Sequence, residues 1–184
     1  MRRTPEQVAL LSRAMSGPIT AVERVMDAVA WLAVAVTWLL PLTNLSRLPD
    51  AIPTHFGADG RPDAYGGPGA AFLLAAFATA AWLAVFFTRR IGRLVRLPVP
   101  ITEENHVKVG TLSRQFLTAI GVVTALMFAG LQVQTIRVAL GAASGLSHWF
   151  GTATLLVYIG LLVGFIVAVY RHHPKDARRA SAER

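Results

Sequence analysis

The chain has 184 residues, 54% of them apolar and 15% charged, and this composition excludes an ordinary water-soluble domain. It has no cysteine, which excludes a disulfide framework, a thiolate metal site and a cysteine nucleophile. The net charge of +8 does not indicate a nucleic-acid partner, because the basic residues lie in short flanks beside long apolar segments, as they do in membrane proteins.

Four segments without Asp, Glu, Lys or Arg dominate the sequence. Each is at least as long as the roughly 18 residues that a helix needs to cross the hydrocarbon core of a bilayer. They predict an all-α integral membrane protein, surrounded by lipid, with transmembrane helices at 22–42, 70–88, 115–136 and 149–170. No cleavable signal sequence is predicted, since residues 1–24 lack an apolar stretch.

The amino-terminal segment 1–21 is basic. Val8, Leu11 and Met15 recur at helical spacing, which is typical of a short amphipathic helix lying on the inner surface of a membrane. The alternative is a frayed basic terminus that only sets the orientation of the protein. Pro18, near the end of this segment, favours the first turn of the following helix.

The first span begins with two carboxylates. Asp27 follows Glu23 by four residues, so both side chains lie on one face of the helix. Arg24 or Arg114, which begins the third span, could pair with them. The alternative is that an ionisable side chain within the membrane serves as a proton acceptor.

Residues 43–68 connect the first two spans. Four prolines and four glycines exclude a long helix here and favour turns and short extended pieces. We expect the loop to be folded, because it contains apolar side chains that can pack on the ends of the spans, namely Leu48, Ile52, Phe56 and Tyr65. Asp59 followed by Gly60 predicts a tight turn, since both residues tolerate a positive φ.

The loop also carries a motif that resembles a known family. The motif runs Leu48-Pro49, Ile52-Pro53-Thr54-His55-Phe56, Gly60 and Asp63-Ala64-Tyr65-Gly66, followed directly by an apolar span. Over about residues 25–88 it resembles the bacterial membrane domain called domain of unknown function 1648 (DUF1648). That domain forms the front part of SdpI-type immunity proteins, which protect a cell from a secreted peptide toxin. The resemblance implies a helix-loop-helix unit at 22–88, a bacterial cytoplasmic membrane location and an immunity or sensing role.

The candidate partner-binding site lies in this loop and comprises His55, Phe56, Asp59, Arg61, Asp63 and Tyr65. The structural part of the motif comprises Leu48, Pro49, Ile52, Pro53 and Gly60. One alternative is that His55, Asp59 and Asp63 bind zinc or another divalent ion, but no second histidine lies nearby and we predict no metal or other cofactor. Another is structural: the two aspartates cap turns, while His55 bonds a backbone carbonyl and packs beside Phe56.

The Lys and Arg residues are distributed unevenly between the spans. Fifteen of the 18 lie in residues 1–24, in the connector 89–114 and in the tail 171–184. Since cationic residues near span ends are retained on the cytoplasmic side, both termini and the connector are predicted to be cytoplasmic and the loop extracytoplasmic. The connector either binds anionic lipid or a partner, or is a solvated link whose Thr102-Glu103-Glu104 begins a short helix towards Gly110.

Polar and small residues mark the transmembrane hairpin at 115–170. Gln132 and Arg137 lie near the predicted outer end of the third span, and either Arg137 reaches the lipid head groups or it pairs with one of three loop carboxylates, Asp50, Asp59 or Asp63. Gly160 and Gly164 form a G-x-x-x-G pair, which lets helices approach closely within the bundle or in a homo-oligomer.

These patterns and the resemblance predict a non-enzymatic membrane protein whose extracytoplasmic loop binds a peptide or a partner membrane protein. Such a protein would be an SdpI-like immunity protein, a sensor or an accessory subunit of a membrane complex. The first alternative is a small transporter or permease-like subunit with Asp27 and Gln132 on a polar path. The second alternative is a metal-dependent enzyme at the outer surface, with its site around His55.

Overall fold

The computed structural model describes residues 4–91, 97 and 99–172. Its elements in chain order are α1 (Pro5–Met15), α2 (Ala21–Asn44), β1 (Ile52–Phe56), β2 (Pro62–Gly66), a 3-10 turn (Pro68–Phe72), α3 (Leu73–Thr88), α4 (His106–Ala139) and α5 (His148–Arg171). Four helices are long and apolar enough to cross a membrane: α2, α3 together with the 3-10 turn, α4 and α5. This confirms the predicted fold class. The predicted tail beyond His172 and the connector residues 92–96 and 98 lie outside the described residues.

Helices α2, α3 and α4 form the core of the bundle. Ala30 and Ala33 of α2 pack with Trp82 of α3 and Ala125 of α4, and all four are almost completely buried. The small side chains let the helix backbones approach closely, so that one large indole fills the space between them. Gly121 of α4 extends this pattern, because a Cβ atom there would lie 2.8 Å from the Trp82 ring.

Helix α5 lies at the edge of the bundle and packs against α4. The rings of Phe116 and Phe165 stack with their centroids 4.1 Å apart, and the hydroxyls of Thr124 and Tyr158 are 2.7 Å apart. The G-x-x-x-G pair of α5, however, has open space where Cβ atoms would be. Packing of this pair within the described part of the chain is therefore the wrong interpretation, while its use in a homo-oligomer stays a prediction.

Helix α1 is well formed, so the frayed-terminus alternative is wrong for the described residues from Thr4 onwards. A capping box begins it: the Gln7 N–H donates to Thr4 Oγ1 at 3.3 Å and the Thr4 N–H donates to Gln7 Oε1 at 3.2 Å. Its apolar face packs on α4, which leaves Leu11 and Met15 with no exposed surface. Burial against a protein helix, and not against lipid alone, thus stabilises this segment.

Helix α4 starts at His106, earlier than the predicted third span, and continues without a break into the membrane segment. The separate short helix predicted towards Gly110 is wrong, because Thr102-Glu103-Glu104 lies before α4 and residues 106–110 form the first turn of α4. Asn105 explains the boundary: its Oδ1 accepts the Thr102 N–H at 3.0 Å, and its Nδ2 donates to the carbonyls of Pro100 and His172. The connector is thereby attached to the end of α5.

Candidate functional site

The loop between α2 and α3 is an antiparallel β-hairpin. Its tip is closed by two main-chain bonds, from the Gly57 N–H to the Arg61 carbonyl at 2.8 Å and from the Gly60 N–H to the Gly57 carbonyl at 2.9 Å. Gly60 has a φ of +78°, which a side chain would oppose. Asp59 Oδ1 accepts the Arg61 N–H at 3.0 Å, so the predicted tight turn and the capping role of Asp59 are confirmed.

The hairpin is held against the helices along one side and at its tip. Strand β1 packs on α4 and on the 3-10 turn, and Ile52 is completely buried there. At the tip, the Leu146 N–H from the connection between α4 and α5 donates to the Gly60 carbonyl at 2.8 Å. Gly145 permits this contact, since its Cβ would lie 2.5 Å from the Gly60 oxygen. The hairpin therefore has a defined position on the bundle.

His55 and Asp63 form a cross-strand pair on the hairpin. The Nδ1 atom of His55 lies 2.6 Å from Asp63 Oδ1, and the two side chains are 69% and 52% exposed. The expected bond from His55 to a backbone carbonyl is therefore wrong, because the imidazole is paired with a carboxylate. Within the described ranges, no group of three or more His, Asp or Glu residues is arranged to hold a metal ion.

The pair belongs to a surface that we call the hairpin face, which comprises His55, Arg61, Asp63 and Tyr65. Asp63 and Tyr65 are exposed residues of β2, and the exposed Arg61 comes directly before the strand. The Arg61 side chain is 79% exposed and its Nε is 4.0 Å from Asp59 Oδ2, a distance that leaves its donors available. Tyr65 is 57% exposed, so its predicted role as an apolar anchor is wrong.

The structural residues of the motif differ in burial. Pro53 is buried beside Ile52 in β1, Leu48 and Phe56 are half-buried, and Pro49 is exposed. Ile52 and Pro53, the first two residues of β1, are therefore the main anchors of the loop, because this strand packs on α4.

Gln132 contacts the 3-10 turn on which β1 of the hairpin packs. Its side chain is completely buried, and its Nε2 donates to the Ala71 carbonyl of the 3-10 turn at 3.0 Å. Arg137 is exposed and forms no ion pair in the described part of the chain, so the expected clamp to Asp50, Asp59 or Asp63 is wrong. The main-chain bond from Leu146 connects the tip to the spans instead.

Two buried ion pairs lie at the end of the bundle opposite the hairpin. We call this end the basic end; it consists of the first turns of α2, the last turn of α3 and the first third of α4. Arg89 holds Asp27 through two bonds, including one of 2.8 Å from Nη2 to Oδ2, and also donates to Thr118 Oγ1 at 3.1 Å. Its guanidinium lies 4.8 Å from the centroid of the Phe86 ring. The sequence analysis did not identify Arg89 as the partner of Asp27. The antiparallel course of α2 and α3 explains the pair, because it brings the start of α2 beside the end of α3.

The second buried pair joins Arg114 to Glu23. The side chains are 2% and 1% exposed, so pairing with Arg114 is confirmed, whereas Arg24 is exposed. Arg114 also donates to four carbonyls at and after the end of α1, those of Ala14, Met15, Gly17 and Pro18. A cation placed at a helix carboxyl terminus is favourable, and here it ties α1 to the bundle. Both carboxylates of α2 have structural partners.

Comparisons with known proteins agree with the hairpin region. The family described as "Domain of unknown function (DUF1648)" matches residues 32–79, which cover the second half of α2, the hairpin and the first part of α3. The resemblance to that family is therefore confirmed for this segment. Together with the four helices of the described residues that are long and apolar enough to cross a membrane, the match indicates a multi-pass membrane protein that contains a DUF1648-like segment.

An uncharacterized protein from Archaeoglobus fulgidus is 43% identical over 49 residues. The aligned segment covers 27% of this chain and 27% of that relative, so about a quarter of each protein is compared. No solved structure matches the chain. The relation to SdpI-type immunity proteins stays a prediction.

Proposed function

We propose that this protein is a non-enzymatic binding protein of the cytoplasmic membrane, with the hairpin face as its contact surface for a peptide or a neighbouring membrane protein. One observation carries the proposal: the hairpin is held in place by buried contacts, yet it exposes an arginine, a tyrosine and a histidine–aspartate pair. A surface ordered before binding loses less conformational entropy when a partner docks. Arginine and tyrosine are also enriched where proteins bind each other.

The proposed orientation places the hairpin outside the cell and the basic end in the cytoplasm. Arg13, Arg24 and Arg90 are exposed at the basic end, in agreement with the retention of cationic flanks on the cytoplasmic side. Because the chain has no cysteine, single cysteines at two exposed positions test this directly. We expect an impermeant maleimide to label Ala58→Cys in intact cells and Ser16→Cys only after permeabilisation. The reverse pattern would invert the topology.

Crosslinking tests the contact surface itself. A photoreactive amino acid at Tyr65 should form a covalent adduct with a partner in native membranes, while the same probe at Ala142, exposed at the same end of the bundle, should not. Asp63→Asn should weaken the adduct, because it breaks the link to His55. Asp50→Asn, an equal change of charge at an exposed residue before the hairpin, is the matched control. Equal adducts at both probe positions would contradict the proposal.

The transporter alternative receives less support from the geometry. Asp27 and Gln132 lie at opposite ends of the bundle, and the space between them is filled by apolar side chains, including that of Trp82. A permease requires a continuous polar path through the spans. Substrate flux in reconstituted vesicles that is abolished by Gln132→Leu would favour the transporter over the binding protein.

A further inference from the structure

Two exposed arginines, Arg24 and Arg90, flank the contact between α2 and α3 at the basic end. The pair of Asp27 and Arg89 joins the start of α2 to the end of α3 at this level. Arg24 lies three residues before Asp27, which is about 4.5 Å along the helix axis, and Arg90 directly follows Arg89. The two exposed arginines therefore lie at nearly the same depth in the bundle.

The faces of α2 and α3 that carry these arginines also meet. Arg24 lies seven residues before Trp31, so both belong to one face of α2. Arg90 lies four residues after Phe86, and the chain keeps a helical course between them, since Arg89 has αR dihedral angles. The rings of Trp31 and Phe86 are in contact, with their centroids 6.2 Å apart. The two arginines thus lie on either side of one interhelical seam.

Towards the middle of the bundle, this seam has an apolar surface. Ala28 lies between Arg24 and Trp31 on the same face of α2, and its small side chain is exposed. Trp31 is 42% exposed and lies roughly 10 Å deeper than Arg24 at 1.5 Å per residue. We call the set of Arg24, Ala28, Trp31, Phe86 and Arg90 the arginine seam.

The positive charge of the seam is not neutralised by the protein in the described ranges. Arg24 and Arg90 form no ion pair there, and the two carboxylates of α2 beside Arg24 are already bound by buried arginines. Arg24 lies in the first turn of α2, and Arg90 lies two residues after the end of α3. Both cations are therefore at the ends of candidate spans, where the head groups of lipids lie.

We propose that the arginine seam binds one anionic phospholipid of the surrounding leaflet. Its phosphate lies between Arg24 and Arg90, and one acyl chain lies along Ala28 and Trp31. The axes of packed helices are about 8–10 Å apart, a gap that two arginine side chains can close on one phosphate. A guanidinium group also matches the geometry of phosphate oxygens. This inference does not depend on the hairpin face.

The test uses the full chain in detergent, stripped of lipid, with native mass spectrometry of bound lipid as the measurement. Phosphatidylglycerol should bind more tightly than phosphatidylcholine with the same acyl chains. A cation near the membrane surface contributes about 1 kcal/mol, or about fivefold, so Arg24→Gln and Arg90→Gln should each lower this preference about fivefold. Arg13→Gln changes the charge equally at an exposed residue of α1 and should not lower it.

Two further measurements locate the lipid. Phosphatidylglycerol with brominated acyl chains should quench tryptophan fluorescence more than brominated phosphatidylcholine does. This difference should disappear in Trp31→Phe, since Trp31 is the indole of the seam and its neighbour Trp82 is completely buried. Glycerol 3-phosphate, which has no acyl chain, should not displace the bound lipid.

Four results would overturn the inference. They are the absence of a preference for phosphatidylglycerol, an equal loss of preference in Arg13→Gln, a quenching difference that survives Trp31→Phe, and displacement of the lipid by glycerol 3-phosphate. The second result would assign binding to net charge, and the fourth would show that the apolar part of the seam contributes nothing. The proposed function is tested separately, by the crosslink at Tyr65.

Discussion

The removal of Arg114 should release α1 from the bundle. The side chain satisfies both oxygens of buried Glu23 and four carbonyls at the end of α1, so Arg114→Met leaves a carboxylate without a cation and several acceptors without a donor. The opening of α1 depends on the bonds from Arg114 to these four carbonyls; a hydrogen bond to a charged group contributes about 1.5–3 kcal/mol, so the loss of two or more of them costs at least about 3 kcal/mol. At 1.4 kcal/mol per factor of ten, the opening of α1 should become at least about a hundredfold more frequent.

Cysteine labelling measures this opening. Met15→Cys has no exposed surface in the closed state, so its maleimide labelling rate in nanodiscs reports how often α1 leaves α4. The rate should rise about a hundredfold with Arg114→Met and should be unchanged with Arg24→Met, which removes an exposed arginine next to Glu23. An intermediate rise is expected for Arg114→Lys, since an ammonium group cannot reach all six acceptors. Equal labelling with and without Arg114 would refute the reasoning that this side chain holds α1.

Two further results are expected from buried contacts. Arg89→Met should lower the free energy of unfolding in detergent by about 3 kcal/mol because it leaves Asp27 unpaired, while Arg90→Met, an exposed neighbour, should leave thermal unfolding unchanged. An equal loss of stability in both variants would assign the effect to net charge. Gly110→Ala should increase labelling of Met15→Cys, because the new Cβ would collide with Ala14 of α1, whereas Gly151→Ala fills open space and should have no effect. Unchanged labelling in Gly110→Ala would show that α1 does not pack on this glycine.

Local patterns in the sequence predicted the spans and the turn. Four uncharged apolar segments become helices of spanning length, because lipid offers no partner for main-chain polar groups and a helix satisfies them internally. Asp59 and Gly60 predicted the hairpin tip, since the Asx bond and a positive φ depend only on neighbouring residues. The motif around the hairpin was also sufficient to identify the matching family.

Contacts between distant segments were decided only by the tertiary structure. Asp27 pairs with Arg89, which is 62 positions away in the sequence. The tip of the hairpin is bonded to the main chain of Leu146, whereas the sequence suggested a contact with Arg137. The exposure of Tyr65 follows from which edge of the hairpin meets α4. Composition and periodicity describe the face that one helix or strand can bury, but they do not specify which element covers it. That choice depends on the joint packing of all the helices, in which small residues such as Gly110 and Gly121 set the distance of approach.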